Sequence, residues 1–284
     1  MNKPALYHKS HRAAKQDAVD LLRKHFSKLA WHVNGGDYLL DVGTGPGDLF
    51  MEEIYPCIPS SKCEHIVLSD ISQDMLDFLQ QNYALPMKCA LRTFDIASEN
   101  GLPPDLEGQF DHVTSSLVLH WIPDNRTALK NIFNLLRLDI GGDCLLTFYA
   151  YNSIFEAHCV LSASPRWSQF IKAGNYYVPP LQNSVNPKDQ FQAMMVDVGF
   201  CNINMELKSS IYRYENIEHF KENIMSTCDI LDFIPKNLQP EFLDDYVKVM
   251  ADIAKRKRGL HGRDSECVIV ADLMLVYGKR KSQK

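Results

Sequence analysis

The chain has 284 residues, 45% of them hydrophobic and 23% charged, proportions that suit a folded globular protein with an ample core. Thirty basic against 35 acidic residues leave a net charge of −5, which argues against nucleic acid as a partner, because phosphate binding needs a basic face. No apolar run of about 18 residues is present, so no membrane span is expected.

The N-terminal stretch MNKPALYHKSHRAAKQDA has no apolar core of a secretory signal. The cysteines, at 57, 63, 89, 144, 159, 201, 228 and 267, form no CxxC pair. They read as free thiols of a cytoplasmic protein. His8 and His11 have no neighbouring ligand cluster, so no metal is expected.

Residues 10–30 read as an amphipathic helix, with Ser10 as N-cap and Ala14, Ala18, Leu21, Leu22 and Leu29 on one face. YLLDVG (38–43) has the length of a buried strand, and GTGPG breaks it. DLFMEEIY (48–55) continues as a helix that should stop near Pro56. HIVLSD (65–70) is a second strand, followed by a helix with Ser72 as N-cap and Met75, Leu76 and Leu79 inside. MKCALRTFD (87–95) is a third strand, and FDHVTSSLVL (110–119) contains a fourth. Asp124 caps a helix whose apolar face is Ala128, Leu129, Ile132, Phe133 and Leu136. GGDCLLTFYA (141–150) is a turn and a fifth strand.

Strands that alternate with helices predict an α/β, Rossmann-like sheet of seven strands, mostly parallel, with helices on both faces and a helical cap. The expected division is an N-terminal helix plus cofactor-binding core over 1–150, with cap segments and the last two strands over 151–284. Residues 151–185 carry aromatics and prolines without a clear period. Asn186, Pro187 and Gly199 bracket a helix. CNINMEL (201–207) reads as a strand, 216–228 and 240–256 as helices, and 267–279 as a long apolar strand. The basic run 255–258 suits the solvated end of a helix.

A sheet of this kind binds its ligand at the carboxyl ends of the strands. The first strand ends in Asp41-Val42-Gly43-Thr44-Gly45-Pro46-Gly47, a turn that lets the backbone approach a ligand closely. The third glycine of a dinucleotide fingerprint is replaced by Asp48, whose carboxylate would repel a pyrophosphate. The ligand should lack phosphates, as S-adenosylmethionine does, and a dehydrogenase is disfavoured. Asp41 could attract the ammonium of its methionine part, Asp70 with Ile71 the ribose end, and Asp95 the adenine amino group, with Ile96 against the ring.

These residues, in this order, resemble the S-adenosylmethionine-dependent methyltransferases. More narrowly, LLDVGTGPGD, SDIS, FDHVTS followed by LHWI, NIFNLL and GGDCLLTF resemble the insect juvenile hormone acid O-methyltransferases. The resemblance implies transfer of a methyl group to the carboxylate of an isoprenoid or fatty acid, of the farnesoic or juvenile hormone acid type. It implies a cofactor site of Asp41, Gly43, Thr44, Gly45, Asp70, Ile71, Asp95, Ile96 and Ser115. Trp121 would contact the substrate carboxyl, with His120 beside it. The family's N-terminal helix carries a Gln that helps hold that carboxyl, and this chain has Ala14 there. The expected partner is a small carboxylic acid, with no nucleic acid and with a homodimer allowed. The alternatives are a methyltransferase of a different small molecule and a ligand-binding module that kept the fold without catalysis.

Overall fold

A computed structural model describes residues 8, 12–172, 176–262 and 266–283. Its centre is a seven-stranded sheet of order β3-β2-β1-β4-β5-β7-β6. The strands are β1 (Asp37–Val42), β2 (Cys63–Asp70), β3 (Cys89–Thr93), β4 (His112–Ser116), β5 (Gly142–Asn152), β6 (Cys201–Arg213) and β7 (Val268–Arg280). The first five run parallel, and β7 lies antiparallel between β5 and β6. The sequence pattern of a mostly parallel sheet is the pattern observed, with the last two strands in that same sheet.

Alternate side chains of each strand feed two different cores. Leu40, Val42, Val113, Leu146 and Val276 point to one face, where α3 (Asn125–Leu135) and α5 (Pro187–Val198) bring Leu129, Ile132, Phe191 and Met195. Leu39, Ile66, Leu68, Leu145 and Leu275 point to the other, against Leu21 and Leu22 of α1 (Arg12–His25). A strand buried on both faces must be apolar at every position, hence the unbroken apolar runs. A third core joins α4 (Ser153–Ala163), α6 (Ile217–Thr227) and α7 (Gln239–Arg258) around Trp167, Phe242 and Tyr246. It packs on Tyr151 and Val268–Val270, so the cap stands at the carboxyl end of β5. Helix α2 (Gln73–Asn82) completes the helices between the strands.

The structure departs from the sequence reading in several places. After the glycine turn a π-helical turn, Phe50–Ile54, replaces a plain α-helix, with the Tyr55 N–H donating to the Phe50 carbonyl. Pro56 lacks the N–H that would continue an α pattern. Strand β6 runs six residues beyond Leu207, to Arg213, because pairing with β7 carries a stretch whose own pattern is weak. Helix α4 is expected only in general terms, within the helical cap, and its bounds are not legible in the sequence. Its Phe155, Ala157, His158 and Leu161 are all buried, so it lacks the one-sided stripe that marks a surface helix. Ser72 and Asn186 flank their helices without a side-chain capping bond, whereas Asp124 accepts from the N–H groups of Arg126 and Thr127. The run Lys255–Arg258 forms the last turn of α7 before a left-handed Gly259. Ser10 and His11 lie outside the described residues, as does the side-chain direction of Ala14. Gln16 is exposed and donates to Asp20.

A buried polar knot closes the amino ends of β1, β4 and β5. His112 Nδ1 lies 2.6 Å from Asp143 Oδ1, and its Nε2 lies 3.2 Å from Asp37 Oδ1. Asp143 also accepts from the Ala30 N–H and the Tyr277 hydroxyl, at 2.8 and 3.1 Å. Trp31 covers the imidazole, with ring centroids 4.2 Å apart. The knot pins the segment after α1 to the sheet. It sits at the end of the sheet away from the glycine turn.

Candidate cofactor and substrate site

At the opposite end, the carboxyl ends of β1, β2 and β4 and the loop after β3 surround a cavity of about 470 Å³. The glycine turn forms its floor. Gly43 has φ +70°, and a Cβ there would meet Val118 Cγ2 at 2.3 Å, so the position requires glycine. Gly45 has φ +59°, and a Cβ there would meet nothing within 4 Å. Its N–H donates to Asp70 Oδ2 at 2.9 Å, while Asp70 Oδ1 accepts from the Ser72 N–H at 2.9 Å. One carboxylate thus ties two strand-end turns together, and burial pushes its pKa above the usual carboxylate value. Strand β4 ends in a strained residue, Leu117, with φ +61°, a conformation that costs an L-residue of order 1–3 kcal/mol. The chain then enters a 3₁₀ turn, Leu119–Trp121.

Gly43, Thr44, Gly45, Asp70, Ile71, Asp95, Ile96 and Trp121 all line the cavity. Ile71 is 68% exposed, an apolar side chain held at the wall beside the Asp70 carboxylate. Asp95 accepts from the Ala97 N–H at 2.8 Å, which closes the loop after β3. Asn131 of α3 supports that loop from behind by donating to the carbonyls of Ile96 and Ser98.

Asp41, Ser115 and His120 are not brought to the wall. Asp41 is 3% exposed and accepts from the Thr114 hydroxyl at 2.7 Å. Burial pushes its pKa up to about 7, so it carries only part of a charge at neutral pH. Ser115 is 1% exposed and donates to the Val42 carbonyl at 3.0 Å. His120 sits behind Trp121, wedged among Trp121, Tyr149 and Phe155 at centroid distances of 5.2, 5.1 and 6.3 Å. Burial pushes its pKa down to about 3, and Nδ1 has no hydrogen-bond partner among the described residues.

Sequence reasoning missed Phe94 and Ala97, which flank the Asp95-Ile96 pair on the wall. The signal was available, since both neighbour a strand end. It also missed the ion pair between Asp48 and Lys15 of α1, at 3.0 Å. That pair neutralises Asp48, which weakens the argument that its charge repels a pyrophosphate. A different observation now argues against phosphate: among the described residues no Lys or Arg lines the cavity.

These features fit S-adenosylmethionine. The wall is mostly apolar, two carboxylates stand at successive strand ends, and the Ser116 hydroxyl on it is buried without a partner among the described residues. An orphaned buried hydroxyl calls for a ligand or water to satisfy it.

Comparison with known proteins agrees with this architecture. A family described as a methyltransferase domain matches residues 40–142. The chain is 32% identical over 280 residues to juvenile hormone acid O-methyltransferase of Drosophila melanogaster, covering 99% of this chain and 93% of that protein. It is 32% identical over 253 residues to the Bombyx mori protein of the same name, covering 89% of this chain and 87% of that one. Among solved structures, the YcgJ protein of Bacillus subtilis superposes with a TM-score of 0.60 at 14% identity, over 94% of this chain and 99% of that one. Phosphoethanolamine N-methyltransferase 2 of Haemonchus contortus, in complex with S-adenosylhomocysteine, superposes with a TM-score of 0.53 at 16% identity, over 98% of this chain and 57% of that one. Those two likenesses establish the shared fold. Identity of about one third along nearly the whole length, on a sheet of this order with its glycine turn beneath the cavity, places the chain in the juvenile hormone acid O-methyltransferase family.

Proposed function

We propose that this protein binds S-adenosylmethionine in the strand-end cavity and methylates the carboxylate of an isoprenoid or fatty acid, of the juvenile hormone acid or farnesoic acid type. The observation that carries the reading is the position of Trp121. It lines the same cavity as Asp70 and Asp95, and it is also part of an aromatic wall with Phe155 (5.3 Å) and Tyr177 (6.3 Å). A cofactor cavity whose lining Trp121 packs against further aromatic rings suits a long hydrophobic acid.

The bound cofactor supplies an electrophilic methyl group. The protein's part is to hold the acceptor oxygen in line with it and keep water out. A carboxylic acid, with an ordinary pKa of about 4, is already ionised at neutral pH and needs no general base. The sealed, neutral His120 is in keeping with that. It backs the Trp121 ring and positions it. Alignment of this kind can supply roughly 7–11 kcal/mol of the barrier.

A panel of carboxylic acids incubated with methyl-labelled S-adenosylmethionine, read as methyl ester, tests the reaction. Absence of ester from every acid, with the cofactor bound, would point to the ligand-binding module instead. In the same assay Trp121→Phe keeps most of the bulk and removes the N–H donor. Loss of one bond to a charged oxygen, about 1.5–3 kcal/mol, should lower turnover about 10- to 150-fold while cofactor affinity stays constant. Equal losses of cofactor affinity and thermal stability would make Trp121 a packing residue only.

A further inference from the structure

Tyr177 is a buried donor that the fold leaves without an acceptor. It belongs to the cap segment just before Pro179 and Pro180. Its ring stacks near-parallel to Trp121, at 6.3 Å between centroids and 27° between planes. Phe155 stands edge-on to both, at 5.3 and 6.4 Å, and holds the two rings in place. The Tyr177 hydroxyl is sealed from solvent, yet it has no hydrogen-bond partner among the described residues. Buried hydroxyls are normally satisfied, so an exception on a ring stacked against the cavity-lining Trp121 calls for an explanation.

The chemistry of the neighbours narrows that explanation. The indole of Trp121 can only donate, and a phenol that keeps its proton also donates. Burial pushes the Tyr177 pKa up to about 12, so the proton stays on at any physiological pH. Rings that offer two neutral donors call for an acceptor, and the strongest acceptor is an anion. Among the described residues no Lys or Arg lines the cavity, so an anion there would depend on such neutral donors. Phosphates and sulfates, which usually recruit basic residues, fit this poorly, whereas a singly charged carboxylate fits well.

We propose that the Tyr177 hydroxyl is a second substrate-binding donor, which together with Trp121 holds the carboxylate of the acid and sets the preference for free acid over ester. The inference rests on the carboxyl-methylation reading above. It adds a residue from the cap to a site otherwise built from strand ends. The cap thereby discriminates the substrate from its product, because a methyl ester carries no charge and accepts a weaker hydrogen bond.

The test uses the full chain, saturated with S-adenosylmethionine for kinetics and with S-adenosylhomocysteine for binding. Farnesoic acid and its methyl ester are the probes. Tyr177→Phe should raise KM for the acid about tenfold, with a smaller change in kcat, the signature of a lost binding contact. The ratio of acid to ester affinity should fall about tenfold, while cofactor affinity is unchanged. That ratio is internal to each folded protein, so a general loss of stability does not move it. An unchanged ratio and KM in Tyr177→Phe, with the parent chain active, would overturn the assignment of Tyr177 alone. A parent chain that binds the cofactor yet neither binds nor methylates farnesoic acid or any other acid of the panel overturns the carboxylate reading, and the role of Tyr177 with it.

Discussion

Replacing Asp70 by alanine is expected to weaken S-adenosylmethionine binding about 10- to 150-fold, the equivalent of about 1.5–3 kcal/mol for a hydrogen bond to a charged group. Asp70 ends β2 at the cavity wall, with its oxygens already oriented by the N–H groups of Gly45 and Ser72. Each carboxylate oxygen has lone pairs to spare, and ribose hydroxyls are the donors that a strand-two carboxylate of this fold commonly takes. Asp70→Asn keeps one carbonyl acceptor and should lose less. Calorimetry on both variants, with melting curves as a control, decides the matter. Unchanged affinity in the alanine variant would sink the ribose assignment, and tight binding of a nicotinamide nucleotide to the parent would sink the cofactor itself.

The largest expected loss of stability lies at the other end of the sheet. His112 bridges Asp37 and Asp143, and all three are buried to within 2% of full burial. Burial alone would lower the imidazole pKa, but the two carboxylates outweigh it and raise the value to about 9. His112 is therefore a cation at neutral pH, between two acids. His112→Leu leaves those acids facing each other in a dry interior. Removing one partner of a buried pair typically costs about 3–5 kcal/mol, so a fall in Tm of roughly 10 °C is expected.

The pH dependence has a definite sign. A group whose pKa is raised on folding stabilises fully below its unfolded value of about 6.5, and that stabilisation is lost as pH rises through the folded value. For His112 the loss falls between about pH 6.5 and pH 9. For Asp37, burial raises the pKa but the bonds from His112 and His32 lower it further, so the net shift is downward. Its contribution is present above its unfolded value of about 4 and is lost only as pH falls below that. The gap in Tm between the parent chain and His112→Leu should accordingly be widest between about pH 5 and pH 6.5 and narrow toward pH 10. A gap that instead widens as pH rises through about 6.5 would mean the imidazole is neutral in the fold, and a constant gap would mean its pKa is unshifted.

Much of the site could be read in advance because its residues are contiguous with strand ends. Gly43, Gly45, Asp70, Asp95 and Ile96 each follow an apolar run directly, and a parallel sheet brings such ends to one edge. The sequence-expected residues that do not line the cavity lie close to the same ends. Asp41 and Ser115 fall inside β1 and β4, where their bonds to Thr114 and Val42 hold them in the sheet. For another reason Tyr177, one of the aromatics of 151–185, does not stand out in the sequence. The segment 151–185 has no period to interpret, and an aromatic in such a segment is equally at home in an ordinary core.

The alternation of strands and helices over the first 150 residues, the glycine turn and the family relationship were determined by the sequence alone, because each is written in local pattern: alternating apolar runs, turn residues and contiguous motifs. The tertiary structure decided which polar groups carry charge and which line the cavity. Asp48 became half of an ion pair because α1 folds back over the glycine turn and brings Lys15 to it. His120 became neutral and His112 cationic, although both are buried histidines in one chain, because only His112 has carboxylates beside it. Burial sets the cost of a charge, and partners distant in sequence set whether that cost is offset. No local pattern records where such partners will meet.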